Sequence, residues 1–569
     1  MNKKKIIQTL ETIATYLELK GENPFKISAF RKAAAALEND PRSIEEMDDV
    51  TKIKGIGKGT AAVIHDLLET GVSTDLQSLK EEIPVGLPLL LKIPGLGGKK
   101  IAKLYQELGV DSAESLKEAC ESGKVGELAG FGKKTVEKLL KELETFGQRS
   151  ERHPIWQLEE NVKDINRVLE KIDEIDRFSV AGSFRRVTET SKDVDFIIAS
   201  SEPLVVKEQL MEKMNYSEVI AAGDTKISFV LQGDDPANVD FRIVTDAEYP
   251  TALHHFTGSK EHNVRMRQLA KERNEKISEY GVEQADGSVL TFETEKAFFE
   301  HFDLPFIPPT LRAGHAEFER HSEIDDLVQL SDIQSDLHMH TTWSDGAHTV
   351  QEMGEALIDR GYHYAVITDH SQYLKVANGL TPERLEQQKE EILAFNHTHK
   401  DFHLLRGTEM DILPDGSLDF DDVVMEGLDF VIASIHSSFS QPQEKIMERL
   451  HNALKNPHVD MIAHPTGRVI HQRDGYNPNM AQLIQWAKEY GKILELNANP
   501  YRLDLCVEHL EMAAAAGVPV AINTDAHAIE QLRYMDIGTK YAQKAWLHKD
   551  MIVNTWDLDR FLAFINKEK

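Results

Sequence analysis

The stretch AGSFRRVTETSKDVDFII, residues 181–198, decides how this chain is read. Its last six residues alternate, so Asp193 and Asp195 share one face of a strand while Val194, Phe196 and Ile198 point to the other. Two carboxylates side by side repel each other and are tolerable chiefly around a cation. A third acid, Asp240 in NVDFRIV (238–244), lies in a second strand of the same texture. Three aspartates on adjacent strands form an oxygen cage suited to Mg²⁺ or Mn²⁺, and a pair of such ions clamps the attacking and leaving oxygens of an in-line phosphoryl displacement. Upstream, Gly182 permits close backbone approach, Ser183 offers a hydroxyl, and Arg185 and Arg186 offer forked phosphate partners. A strand edge with ordinary surface acids would account for the aspartates but not for the GSFRR that precedes them.

Around this stretch, FSVAGSF, KISFVLQG and NVDFRIVT carry β-branched and aromatic residues and alternate with helical runs. An α/β domain is predicted over 151–250, followed by a further segment over 251–315. The polar run RAGHAEFERHSEIDD reads as a linker over 316–332.

Toward the N-terminus one unit recurs three times: IKGIGKGTAAVI (53–64), IPGLGGKKIAKL (93–104) and LAGFGKKTVEKL (128–139). The glycine pairs Gly55/Gly57, Gly95/Gly97 and Gly130/Gly132 allow a tight turn between helices, with the intervening apolar residue pinned in the core. Each turn feeds a helix N-terminus, where free N–H groups and the helix dipole hold a phosphate. A glycine-rich turn in a plain bundle would explain one copy. Three copies, carrying Lys58, Lys99 and Lys133, favour contact with DNA backbone and resemble the helix-hairpin-helix motif. Helical domains are predicted over 1–80, with the first hairpin, and over 81–150, with the other two.

Toward the C-terminus, strand-like pieces ending in His or Asp alternate with helices, the pattern of an α/β barrel with its site at the strands' C-terminal ends. In DLHMHTTWSDG (336–346), His338 and His340 share a strand face and Asp345 follows in a turn. His370, Glu409, His436, His464, Asp525 and His527 sit at later strand ends. A lone histidine is more often a core or surface residue than a ligand; nine ordered groups are not. Mixed nitrogen and oxygen ligation suits Mn²⁺, Zn²⁺ or Fe, with carboxylates bridging several ions. Asp369, beside His370, is read as orienting a ligand.

Composition sets limits on these readings. At 569 residues three or four domains are expected. The net charge of −30 argues against nucleic acid, but it is unevenly spread. Lys+Arg against Asp+Glu is 23 to 23 over 1–150 and 21 to 36 in each of 151–330 and 331–569. DNA binding is therefore expected to be local and sensitive to salt. Of the 24 histidines, 16 follow residue 330, which points to a chemistry particular to that part. No apolar run approaches a membrane span, the start MNKKKIIQTLETIA does not read as a signal peptide, and only Cys120 and Cys506 are present. A cytoplasmic, monomeric protein without disulfides is expected.

Two resemblances follow from these motifs. GSFRR, DVD, VDFR and HFTGSKEHNVRMR (255–267) resemble the palm and thumb of family X DNA polymerases, relatives of polymerase beta, and the likeness runs from NPFKISAFRKAAAAL (23–37) to about Arg312. It implies that Asp193, Asp195 and Asp240 are the catalytic metal-binding triad. Gly182, Ser183 and Arg186 would meet the incoming triphosphate, Phe256 and Gly258 the sugar, and Asn263 and Arg267 the nucleotide and template. His255 stands where the family usually has Tyr, which leaves sugar discrimination open, and Val63 stands in place of the Schiff-base lysine, so that lyase mechanism is not expected. The ordered set HxH, D, TDH, E, H, HP, DAH resembles the PHP (polymerase and histidinol phosphatase) domain, a trinuclear metallophosphoesterase on a distorted barrel, placed here at 333–569.

Together they imply a multidomain α+β and α/β protein: helical hairpin domains, a nucleotidyltransferase palm, a thumb and a PHP barrel. The expected function is gap-filling DNA polymerisation in base excision repair, acting on gapped or primed DNA and dNTPs. A metal-dependent 3′-5′ exonuclease and an abasic-site endonuclease would reside in the barrel. The alternatives are a small-molecule phosphatase of histidinol-phosphatase type with an inactive polymerase body, and a non-catalytic DNA-binding module.

Overall fold

The computed structural model describes residues 3–39, 49–84, 86–91, 93, 96–146, 152–232 and 236–566, in two compact units, Met1–Glu151 and Arg152–Lys569. The first unit is helical. Lys3–Lys20, Pro24–Asn39 and Lys58–Thr70 enclose one core through Ile6, Leu10, Phe30, Ile64 and Leu67. Gly98–Leu108, Ala113–Glu121 and Lys133–Phe146 enclose a second through Leu104, Leu116 and Leu139.

In each glycine-rich turn the intervening residue is buried: Ile56, Leu96 and Phe131 are at most 7% exposed. Gly55 (φ 115°) and Gly130 (φ 97°) adopt the left-handed backbone that a side chain resists. Gly95 lies outside the described residues. Gly57 and Gly97 cap the helices that follow, and Gly132 immediately precedes one. Val63 is 4% exposed in the first core.

The second unit opens with a five-stranded sheet in the order Arg177–Val180, Asp193–Ala199, Asn238–Val244, Lys226–Leu231, Tyr216–Ala222. Only Asp193–Ala199 and Asn238–Val244 run parallel. Val194, Phe196, Ile198, Phe229 and Phe241 are fully buried with Leu158 and Leu210 from flanking helices, which leaves the alternate residues of the central strands facing the other way. Helices Tyr249–Thr257, Lys260–Glu272 and Glu295–His301 follow, packed around Met266, Phe298 and Phe299.

The stretch 316–332 is not a free linker. Glu317 is fully buried and accepts hydrogen bonds from the Gly314 and His315 amides (2.5 and 2.8 Å) and from the ring of His262 (3.0 Å), and Val328 is fully buried with its amide donating to the Leu547 carbonyl (3.1 Å).

Seven parallel strands then follow in chain order: Ser335–Asp336, Tyr364–Ile367, His403–Asp411, Phe430–Ser434, Met461–Ile462, Ile493–Asn497 and Val520–Asn523. Past the last strand, the Asp525 amide donates to the His338 carbonyl and the His340 amide to the Ala526 carbonyl, bringing the ends of the sheet together into a nearly closed barrel. The C-terminal helix Leu558–Ile565 packs Phe561 against Tyr364 and Phe430. Among the described residues no helix is long and apolar enough to cross a membrane.

Candidate active sites in the sheet and the barrel

In the parallel pair, Asp195 faces Asp240 and Asp193 faces Asn238 in register. Burial, reinforced by the charges of Asp193 and Asp240, pushes the Asp195 carboxyl up to about 7. Such a trio calls for a cation, and hard carboxylate oxygens fit Mg²⁺ or Mn²⁺. A Cβ on Gly182 (φ 62°) would overlap the Asp195 carboxylate oxygen, so glycine is what lets the turn close over the acids.

The two arginines of GSFRR part company. Arg185 turns away from the acids to pair with Glu295 (2.6 Å), which Arg312 also holds (2.9 Å). The expectation that Arg185 grips phosphate is therefore corrected: a nearly buried carboxylate occupies its fork. Arg186 remains near Asp195, which works against the lowering of its pKa by burial, and it donates to the Thr257 carbonyl. A Cβ on Gly258 would lie 3.2 Å from the Arg186 guanidinium. Ser183 bonds to Ser191. Phe256 carries the Arg242 guanidinium over its ring (4.8 Å), and Asn263 donates to the His255 carbonyl (2.7 Å). Arg267 is exposed on the helix Lys260–Glu272. Lys226, which sequence reasoning passed over, reaches Asp240 at 3.4 Å; its signal was a lone base opening the strand KISF beside an acidic one.

In the barrel five of the nine groups face Glu409, itself one of the nine. One of its oxygens faces His464 (2.8 Å) and His436 (3.0 Å); the other faces His370 (2.9 Å), His338 (3.3 Å) and His340 (3.5 Å). Asp525 meets His340 at 3.2 Å and His338 at 3.5 Å, and Asp345 meets His527 at 3.4 Å and His370 at 3.7 Å. Their ligand atoms form three overlapping groups: His340, Asp345, His370 and His527; His338, His340, Glu409 and Asp525; and His370, Glu409 and His436. His464 joins through Glu409. His464 (φ 28°) and Asp525 (φ 52°) hold left-handed backbone, a strain found where surrounding structure fixes a functional geometry.

The donor set fits divalent cations. Buried ring nitrogens of His338, His340 and His370 have no hydrogen-bond partner, a costly state unless a metal takes the lone pair. Burial and the neighbouring His527 and His370 hold His340 down to about 3, so it presents a neutral imidazole. Burial opposes charge on His436 as well, but Glu409 and Asp411 outweigh it and push that ring up to about 10, leaving a proton for a cation to displace.

Two orienting carboxylates were missed in the sequence. Glu495 accepts from His338 Nδ1 and from the His464 amide (both 2.7 Å), which turns His338 Nε2 toward the cluster. Asp411 holds His436 Nδ1 at 3.3 Å in the same way. Glu495 was signalled as an acid inside the apolar strand ILELN; Asp411, at the end of the strand His403–Asp411, had no such signal. Asp369 does not reach the cluster ligands; it accepts from Thr341 (2.8 Å) and Ser344 (3.1 Å) and so pins the turn that carries Asp345.

Comparison with known proteins identifies the domains that carry these groups in part. Family models match as a helix-hairpin-helix domain (residues 1–73), a SAM-like helix-hairpin-helix tandem (87–145), a DNA polymerase beta thumb (252–313) and a PHP domain (336–499). Asp525 and His527 lie beyond the last match. Probable phosphatases from Thermoanaerobacter sp. and Acetivibrio thermocellus are 26% and 29% identical, covering 41% of this chain and 95% of their own lengths. The DNA polymerase/3′-5′ exonuclease PolX of Bacillus subtilis is 56% identical over 568 residues, 100% of both chains. Similarity of that degree over the whole length, with hairpin, thumb and PHP models matching along the chain, shows that the chain belongs to the PolX family of DNA polymerases/3′-5′ exonucleases.

Proposed function

We propose that the chain fills short gaps in DNA during base excision repair, adding nucleotides at Asp193, Asp195 and Asp240 and removing 3′ nucleotides at the barrel cluster. The observation that carries this is the pairing of Asp195 with Asp240 across parallel strands, beneath a glycine turn that leads to Arg186. Bound divalent ions, Mg²⁺ or Mn²⁺ at the triad and a trinuclear Mn²⁺ or Zn²⁺ set in the barrel, supply Lewis acidity for phosphoryl transfer and for hydrolysis.

The chain's own residues do the placing. Arg186 and Ser183, with the Gly182 backbone, receive the triphosphate. Phe256 and Gly258 border the sugar, and Asn263 and Arg267 face nucleotide and template. In the barrel, Glu495 and Asp411 fix the rings of His338 and His436, and Asp369 fixes the turn of Asp345. The hairpin groups Gly55, Gly57, Lys58, Gly95, Gly97, Lys99, Gly130, Gly132 and Lys133 track DNA backbone. Val63 has no amine, so no Schiff-base lyase step is assigned to it. Abasic-site cleavage by the barrel, a cytoplasmic location and a monomeric state belong to the same reading.

The test is a 5′-labelled gapped duplex with dNTPs and Mg²⁺ or Mn²⁺. The double substitution Asp193→Ala/Asp195→Ala is expected to stop extension and spare shortening, and His338→Ala/His340→Ala to do the reverse. A wild-type protein that does neither, yet hydrolyses histidinol phosphate, would establish the phosphatase alternative instead.

A further inference from the structure

The loop that carries Arg186 has two sides. Gly182 and Arg186 face the aspartates. The opposite side is embedded in the barrel: Val187 is 7% exposed within the barrel's own hydrophobic cluster, and Phe184 packs against it. Val187 also adopts φ 51°, a left-handed conformation that a β-branched residue keeps only when its surroundings impose it.

The polar contacts repeat the pattern. Lys544, the last residue of the barrel helix Tyr534–Lys544, donates its ammonium to the Arg186 carbonyl at 3.0 Å. Glu189, three residues on, takes hydrogen bonds from Arg468 (2.8 Å) and from the buried hydroxyl of Tyr541 on the same helix. Among the described residues Lys544 has no carboxylate within ion-pair distance. Burial and the nearby Arg186 push it down to about 8, so the ammonium is held where both work against its charge. For filling space an apolar side chain would serve better. What the ammonium supplies is a donor to one particular carbonyl, that of the arginine beside the triad.

We infer that the barrel helix Tyr534–Lys544 positions the nucleotide-binding loop of the polymerase site, with Lys544 as a positioning residue for nucleotide addition. The inference rests on the reading of Arg186 as the triphosphate partner. The barrel then has a role in synthesis that is separate from its metal cluster, and damage at this seam alters the use of dNTPs without touching the histidines.

The experiment uses the full-length protein and measures single-nucleotide insertion on a gapped duplex, with shortening of a single-stranded oligonucleotide as the readout of the barrel's fold. Lys544→Met keeps the aliphatic stem and removes the donor. It is expected to raise KM for dNTP about tenfold, the scale of one lost hydrogen bond from a charged donor, with kcat changed far less and shortening unaffected. Tyr541→Phe is expected to move KM in the same direction by a smaller factor. Arg186→Ala separates the two levels of the argument. If it raises KM and Lys544→Met does not, the positioning role is overturned while the triphosphate reading stands; if Arg186→Ala leaves KM unchanged, the triphosphate reading fails and takes this inference with it. Should Lys544→Met lose both activities, Tyr541→Phe decides: a selective rise in KM supports the role, and a parallel loss of both activities reduces the seam to general stabilisation and overturns it.

Discussion

Asp195 stands directly opposite Asp240 in the parallel strand pair, with Asp193 two residues earlier on the same face. Neither strand needs an acid for its own stability, since the buried side is supplied by Val194, Phe196 and Phe241. Asp240→Asn keeps shape and hydrogen-bonding capacity but removes a charge from the cage. Extension is expected to fall by roughly a thousandfold or more, with shortening of a 3′ end within about twofold of wild type. Loss of both activities in a protein that melts normally would mean that the two sites are not chemically separate.

Gly182→Ala tests the closeness of the turn. The added methyl would overlap the Asp195 carboxylate at a backbone φ of 62° that alanine resists. Extension is expected to drop about a hundredfold through displacement of Asp195, and the nuclease to stay intact. Gly258→Ala meets less crowding, its nearest side-chain neighbour being the Arg186 guanidinium at 3.2 Å, but its backbone (φ 68°) resists alanine just as that of Gly182 does; extension is expected to fall here too, with a rise in KM for dNTP as the added sign of a displaced Arg186.

Much of this arrangement was legible because it is written in short-range pattern. Alternation in DVDFII sets which residues share a face, and the recurring strand-end His and Asp announce a barrel with one chemical rim. What was not legible depends on partners distant in sequence. Nothing near Arg185 indicates that Glu295, 110 residues away, takes its guanidinium instead of a phosphate. Glu317 looks like a solvated linker acid until His262 is placed against it. Glu495 reads as an odd acid in an apolar strand, because its partners His338 and His464 lie 157 and 31 residues earlier.

Glu409 touches five imidazoles, so Glu409→Gln is expected to abolish shortening and to lower bound metal by at least one ion per chain, measured by elemental analysis of protein dialysed against Mn²⁺. Extension is expected to persist. Glu495→Gln acts one step further out, through His338, and is expected to weaken metal affinity by roughly ten- to a hundredfold while leaving a cluster that refills at high Mn²⁺. Full metal content at low Mn²⁺ in Glu495→Gln would show that the orienting contact is dispensable.

The thumb is expected to lose stability in acid. His254 and His262 are fully buried and joined ring to ring at 3.2 Å. Burial, with Arg312 and His262 adding to it, holds His254 well below its ordinary range. Burial also lowers His262, against the pull of Glu317. A folded pKa depressed below the unfolded value of about 6.5 means that the unfolded chain binds the extra protons. The stabilisation is therefore fully present above pH 6.5 and is lost as pH falls below it, by up to about 1.4 kcal/mol per pH unit for each histidine. Native-state amide exchange across 249–272 should report this, and His254→Phe should remove about half of the slope. An unchanged slope in that variant would place the acid sensitivity elsewhere.

Lys58, Lys99 and Lys133 are exposed, each at or just inside the start of a helix that follows a glycine turn. A Cβ on Gly57, Gly97 or Gly132 would meet nothing within 4 Å, so no internal crowding requires glycine there. That open space is what a close-lying phosphate needs, beside helix N-termini whose free N–H groups point outward. Each lysine that neutralises a phosphate contributes about 0.9 to the slope of log affinity against log salt on duplex DNA. Replacing all three with Ala is accordingly expected to reduce the slope by between about 1 and 3, and to weaken binding similarly for unrelated sequences. A slope unchanged in the triple variant would remove the lysines from the DNA contact and leave only the turn amides to make it.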